Sequence, residues 1–359
     1  MKEGVRLGLM RMMLRPSRLA AWGCLLLALL LALYPAASLS ASLRGIAIWW
    51  DVLFPALFPF FVLSELMLGF GIVHFFGMLL DPLMRPIFRL PGIGGFVVTM
   101  GLASGYPVGS RLTAQLRERG QINRAEGERM IAFTTTSDPI FLIGAVSVGF
   151  FHDVTLAPVL AAAHYGGALI IGLLARYHDR DAPPTPSMTG HAGGGSLRAA
   201  VFAMHAARIA DGRSLGTLLQ DAVRSALRLM IVVGGLVVFF SVVMELFSQT
   251  GLLEVLSGLL HALLAAIGLP MQLSSAFVNG LFEVTLGAKA ASESGAPLIH
   301  RTAAAALILS WAGLSVQAQI ASLISHTDLR FKPFLVARLL HGVISFLLVY
   351  LFWSWLGPQ

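Results

Sequence analysis

Cysteine is nearly absent from this sequence: Cys24 is the only one, and it sits in an apolar run. An intramolecular disulfide and a cysteine-rich metal site are thereby excluded. Charge is equally scarce. Only 12% of the 359 residues are charged, where a soluble domain of this size carries roughly a quarter. Catalytic signatures are missing as well. The chain has no G-x-S-x-G, no H-E-x-x-H and no P-loop lysine motif, and Ser137 and Asp138 have no nearby histidine of triad logic. The reading is of a protein that is not an enzyme and needs no cofactor and no metal. ATP-driven transport would require a separate subunit.

Apolar sequence is what remains. The chain is 57% hydrophobic, and several uncharged runs exceed the roughly 18 residues that mark a membrane helix. A polytopic, all-α membrane protein follows, with the lipid bilayer as its first partner. The net charge of +7 is better explained by arginines in cytoplasmic connections than by nucleic acid.

One stretch organises the rest. Leu90–Arg119 is apolar, yet it holds six glycines (Gly92, Gly94, Gly95, Gly101, Gly105, Gly109) and two prolines (Pro91, Pro107). So many breaks predict backbone that turns around inside the membrane. Such backbone survives only when buried in protein or lining a wet cavity. Broken apolar segments of this kind point to a transporter's binding site. A second irregular segment, Pro270–Glu293, contains Asn279, Gly280, Glu283, Thr285, Gly287 and Lys289.

About seven spans surround these two re-entrant hairpins. They are expected at Leu19–Leu39, Ile46–Phe70, Met130–Phe151, Val154–Leu174, Leu229–Phe247, Ala303–Ile324 and Phe334–Leu356. The first could instead be a cleaved secretory signal, but its basic leader is long for one. Weaker helices fall at Gly71–Arg89 and Leu252–Leu269. The residues between Arg176 and Thr217 include PPTP (Pro183–Pro186) and HAGGG (His191–Gly195), a composition that predicts a flexible linker. His178, His191 and His205 lie there without metal-ligand spacing and read as scattered solvent histidines. The units are thus 1–45 (basic N-terminus and first span), 46–177 (first repeat), 178–217 (cytoplasmic linker) and 218–359 (second repeat).

The halves look related. Gly71, Leu90-Pro91 and Gly101 recur as Gly251, Leu269-Pro270 and Gly280, at offsets of 180, 179 and 179. Three spans separate equivalent points, an odd number, so the second half is inverted. With the N-terminus in the cytoplasm, every arginine and lysine except Arg44, Lys289 and Arg301 falls inside, as the positive-inside rule asks.

Candidate site residues follow from the breaks. Ser104, Gly105, Tyr106 and Pro107 either pack helices closely or expose backbone to a solute; Pro107 frees a carbonyl. Thr135, Thr136, Ser137 and Asp138 precede Pro139 inside an apolar span. Asp138 can carry a coupling proton or sodium, and it or Ser137 can cap the second half-helix. Asn279 and Glu283, four apart, would share a helix face with Thr285 nearby, and Glu283 is a second coupling candidate. Ser310, Ser315 and Gln317 can bind solute or join helices. Lys289 sits either at a solute carboxylate or at the outer surface. Glu65 and Glu245, near span ends, read as partly exposed.

These motifs carry a resemblance. GLASGYPVGSRLTAQLRERG (Gly101–Gly120), EGERMIAFTTTSDPIFLIGAVSVG (Glu126–Gly149) and SWAGLSVQ (Ser310–Gln317) are similar to the YlbJ-type sporulation integral membrane proteins. That family carries two nucleoside-recognition, or Gate, domains and resembles concentrative nucleoside transporters. The resemblance covers about Ile46–Leu356; Asp138 departs from it, where a small residue such as glycine is expected. It implies a secondary transporter in a cell or outer forespore membrane, moving a small anionic solute, dipicolinic acid, during spore formation. As a dianion, dipicolinate calls for cationic or N–H-rich surface, with Tyr106, the half-helix ends and Arg111 or Lys289 as candidates. A proton- or sodium-coupled nucleoside carrier and a non-transporting membrane scaffold are the alternatives. Because concentrative nucleoside transporters are trimers, the resemblance alone raises a homo-oligomer.

Overall fold

The computed structural model describes residues 16–186 and 196–358. The basic leader before Pro16 and the HAGGG run lie outside the described residues. Among the described residues the chain is all-helical, with no strand.

Helix α1 (Pro16–Leu33) meets α2 (Pro35–Ala47) at Tyr34, where the direction changes by 104°. Pro35 lacks an N–H and steers the residue before it out of helical geometry. The expected straight span over Leu19–Leu39 is therefore bent. From α2 the helix continues through a wide π turn (Ile48–Leu53) into α3 (Phe54–Gly69). Pro55 and Pro59 cannot donate in the next turns, which favours the wider winding there.

The order of elements then repeats. A first series runs α3, α4 (Ile72–Phe88), α5 (Ile93–Ser104), α6 (Tyr106–Glu118), α7 (Arg124–Thr134), the π-wound α8 (Phe141–Phe150) and α9 (Ala157–Ala175). After α10 (Leu197–Asp211) a second series runs α11 (Leu215–Gln249), α12 (Leu252–Ala266), α13 (Ser274–Phe282), α14 (Val284–Glu293), α15 (Leu298–Trp311), α16 (Gly313–Ile324) and α17 (Phe331–Leu356). Each series reads long helix, weaker helix, hairpin, broken span, span.

Among the described residues four helices are long and apolar enough to cross a bilayer, or six if each of two bent pairs counts once. The expected span Met130–Phe151 is split between α7 and α8, each too short to cross alone. Helix α10 corrects the linker reading: residues 197–211 of the supposed flexible segment form a helix against α4. Proline and glycine around it hid a run of good helix formers.

The halves interlock. Helix α9 packs against α15 and α17, and α11 packs against α2 and α3. Ala303–Ala306 are wholly buried; four small side chains in a row let α15 approach its neighbours closely. Outward faces are apolar, as Leu259, Leu347 and Trp355 illustrate. Polar groups such as Ser137, His164, Ser310 and Arg338 are buried. That distribution suits lipid outside and a polar seam within.

Candidate functional site: two hairpin tips and two broken spans

The first hairpin turns at Gly105, whose φ of +87° and ψ of −178° are reached at little cost only by glycine. Its two arms close on one residue. A Cβ at Gly101 would lie 2.5 Å from the Thr134 carbonyl oxygen, and one at Gly109 would lie 2.7 Å from the same atom. Residues four before and four after the tip thus touch the end of α7, so the chain doubles back. The second hairpin turns at Glu283, in extended backbone. There Gly280 and Gly287 both pack on Ile308, and a Cβ on Gly287 would meet Gly280 Cα at 2.3 Å.

Each tip meets an acid, the first on the neighbouring broken span and the second on the tip itself. Asp138 ends the break after α7; its Oδ1 accepts from Phe141 N at 2.8 Å and so caps α8. An added Cβ at Gly105 would lie 3.0 Å from Asp138 Oδ2, which places the first tip against this carboxylate. Glu283 Oε2 accepts from Leu286 N at 2.7 Å and caps α14. An acid at a helix N-terminus completes an unpaired N–H and meets the positive end of the dipole.

The breaks are tied together by buried side chains. Ser137 N donates to His164 Nε2 at 2.9 Å. A backbone N–H can only donate, so that nitrogen is bare and the ring proton sits on Nδ1. His164 Nδ1 therefore donates to Ser310 Oγ (2.8 Å), which donates to Ser345 Oγ (2.8 Å). His341 stacks on His164 with ring centroids 5.1 Å apart, and its Nε2 donates to the His164 carbonyl. Tyr106 reaches from the first tip to the other half and donates to the Leu309 carbonyl at 2.7 Å. Tyr165 donates to the Ser137 carbonyl.

One cavity of about 390 Å³ opens where these parts meet. Gly105, Tyr106, Pro107, Asp138, Glu283, Thr285 and Ser315 line it, joined by Asp51 and Gln319. The remaining sequence candidates lie elsewhere. Thr135 Oγ1 donates to the Ile131 carbonyl and Thr136 Oγ1 to the Gly101 carbonyl, where they satisfy backbone. Ser137 and Ser310 belong to the histidine network. Ser104 Oγ is buried without a hydrogen-bond partner among the described residues. Gln317 donates to the Trp311 carbonyl at the end of α15. Asn279 does not share a face with Glu283, because the helix stops between them; its amide donates back to Ser275.

The candidate cations are also displaced. Arg111 pairs with Glu65 and Ser225, and Glu65 is partly exposed, as expected, while it holds this partner. Lys289 lies in a second cavity of about 680 Å³ with Arg44, Glu245 and Asn279. Arg44 and Glu245 pair at 2.6 Å. The cavities share Leu53, Phe141, Ala145 and Thr285.

At another edge Glu128, His178, Asp179 and Arg330 form a polar cluster. Glu128 accepts from His178 Nε2 (2.6 Å), Arg330 Nε (2.8 Å) and Arg330 N (3.0 Å). His178 is thus held by an acid and is not a loose solvent histidine. Three ligand-type side chains, Glu128, His178 and Asp179, meet here. Arg330 already bonds both carboxylates, which disfavours a metal. Burial pushes the Glu128 carboxyl up, but hydrogen bonds from Arg330 and His178 outweigh it and hold the group below its ordinary value.

Sequence reading missed His164, Arg338 and His341. Each is an ionisable residue inside an apolar run, a signal that marks function or structure by default. Arg338 was absorbed into the basic flank of the last span, and the histidines looked unremarkable in otherwise plain helices.

The repeated hairpin-and-broken-span core, with a mostly apolar cavity at its centre that carries three acids, defines an all-helical polytopic membrane protein. A family model described as Gate, nucleoside recognition, matches residues 51–154 and 230–330, more than half of the chain. The sporulation integral membrane protein YlbJ of Bacillus subtilis (strain 168) is 47% identical over 321 residues, covering 89% of this chain and 79% of that protein. The chain belongs to the Gate family and, within it, to the YlbJ-type sporulation integral membrane proteins. A solved structure of CNTnw in an inward-facing substrate-bound state matches with a TM-score of 0.47 and 12% identity, over 96% of this chain and 88% of that one.

Proposed function

We propose that this protein is a secondary carrier of a small polar solute bound in the central cavity, with Asp138 and Glu283 taking up the accompanying proton or cation. The observation that carries this reading is the convergence of both hairpin tips and the first break on one space. At about 390 Å³ it falls within the range of small-molecule sites, roughly 300–1,000 Å³. Broken helices around such a site supply free backbone groups without exposing them to lipid.

The charged lining decides between solutes. Asp51, Asp138 and Glu283 are all acids, and among the described residues no basic side chain lines the space. A bare dianion would be repelled there, so the lining favours a neutral solute such as a nucleoside, moved with a proton or cation. Dipicolinate is the second reading. Kinship to a sporulation protein supports it, and it requires the acid to travel with neutralising protons or cations.

Proteoliposomes test both. Labelled uridine and dipicolinate are offered under imposed proton and sodium gradients. Gradient-driven accumulation of one solute is expected, falling roughly tenfold or more in Glu283→Gln. If neither solute enters above protein-free vesicles, while Glu283→Gln and Asp138→Asn restore sporulation in a deletion strain, the carrier reading fails. A membrane scaffold would then stand in its place.

A further inference from the structure

Arg338, on α17, is wholly buried. Its guanidinium donates to the carbonyls of Ala132 and Thr135 at the end of α7, and at 3.3 Å to that of Ser310 near the end of α15. The ring of Phe334 lies 5.5 Å away. Among the described residues it forms no ion pair. A buried cation is thus balanced by backbone carbonyls and one aromatic face, with no carboxylate paired to it among the described residues.

The location explains how that is tolerated. The last carbonyls of a helix have no partner within it, and the helix dipole is negative there. Helices α7 and α15 are the leading halves of the two broken spans, and both end at this point. In a membrane interior such carbonyls must be satisfied. Half-helix C-termini in broken spans are places where transporters hold coupling cations. Here the chain supplies the positive charge itself, from a third helix.

We propose that Arg338 is a tethered cation: a positioning residue whose guanidinium fills, at the crossing of the two broken spans, the place otherwise open to a mobile monovalent cation. The fork of the guanidinium reaches both half-helices at once, which a point charge does less well. It ties the two half-helix ends together. Resting on the carrier reading, one consequence follows: ion coupling is left to the cavity acids Asp138 and Glu283.

The test is chemical rescue of the purified, full-length protein, read by thermal melting. Arg338→Ala is expected to melt roughly 5–10 °C below wild type in choline chloride. Guanidinium, at on the order of 10 mM, restores most of that loss, sodium restores part, and wild type responds to neither. Arg338→Met fills the volume without charge and should melt as low as the alanine variant. Wild-type melting of Arg338→Met, or no rescue of Arg338→Ala by any cation, overturns the proposal. If the alanine variant cannot be purified, membrane accumulation of Arg338→Lys and Arg338→Gln decides. Lysine above glutamine supports a charge requirement; glutamine equal or above refutes it. Failed rescue with solute uptake intact rejects the tethered cation alone, and absent uptake with rescue intact rejects the carrier alone.

Discussion

A single imidazole joins the two breaks. His164 accepts from the amide of Ser137 and donates to Ser310 Oγ, with both bonds fully buried. Removing the ring strands the Ser137 amide, at about 1–3 kcal/mol, and takes one of two bonds from Ser310 Oγ, which keeps Ser345, at about 1 kcal/mol. His164→Ala should therefore lose about 2–4 kcal/mol and melt roughly 3–5 °C lower. Differential scanning fluorimetry in detergent would show this, and wild-type melting would refute the bridge. At this scale the sequence was only partly legible. The acids Asp138 and Glu283 announce themselves as ionisable groups beside helix breakers. The partners of Ser137 and Ser310 do not, because the helices that bring His164 and Ser345 alongside carry no break of their own. Asn279 misled for a local reason: a spacing of four means a shared face only if the helix runs through, and it stops before Glu283.

Hairpins and helix breaks were legible where glycine and proline gather inside apolar sequence. The doubling back at Gly105 is written in the run of glycines around it, since the two arms need Gly101 and Gly109 to close on Thr134. The bend at Tyr34 was not read, because one proline inside a leucine-rich run is weak punctuation. Helix α10 was lost in a composition that otherwise marks linkers. The tip offers a sharp test. Gly105→Ala places a methyl group 3.0 Å from Asp138 Oδ2 and forces a strained backbone worth about 1–3 kcal/mol. Solute affinity should weaken roughly 5- to 100-fold, measured by equilibrium binding to purified protein. Gly258→Ala on α12 meets open space and should bind as wild type does.

The whole molecule is held at one edge by charge. Glu128 on α7, His178 and Asp179 just beyond α9, and Arg330 at the start of α17 tie three elements from both halves. Glu128 is held below its ordinary value, so its folded form binds a proton less readily than its unfolded form. The stabilisation is complete above the unfolded carboxylate value of about 4.3 and fades as pH falls through the lower, folded value. Melting temperature should drop as pH is lowered past about 4, and Glu128→Gln should flatten that drop. At neutral pH the substitution should cost about 1 kcal/mol, since half-exposed Arg330 can turn to water. A melting series from pH 7 downward measures both effects. Repetition of the element order was visible in the sequence through a few recurring glycines and leucine–proline pairs. The interlocking of the halves was not, because no local pattern says which distant helix a span will lie against.

The two cavities are divided by little more than Leu53, Phe141, Ala145 and Thr285. Three of those four side chains are greasy, and only the threonine offers a hydroxyl. Any solute passing between the chambers would go by these four residues. Such a route would lead from a space with three acids and no base among its described lining to one where the Arg44–Glu245 pair and Lys289 leave a net positive charge.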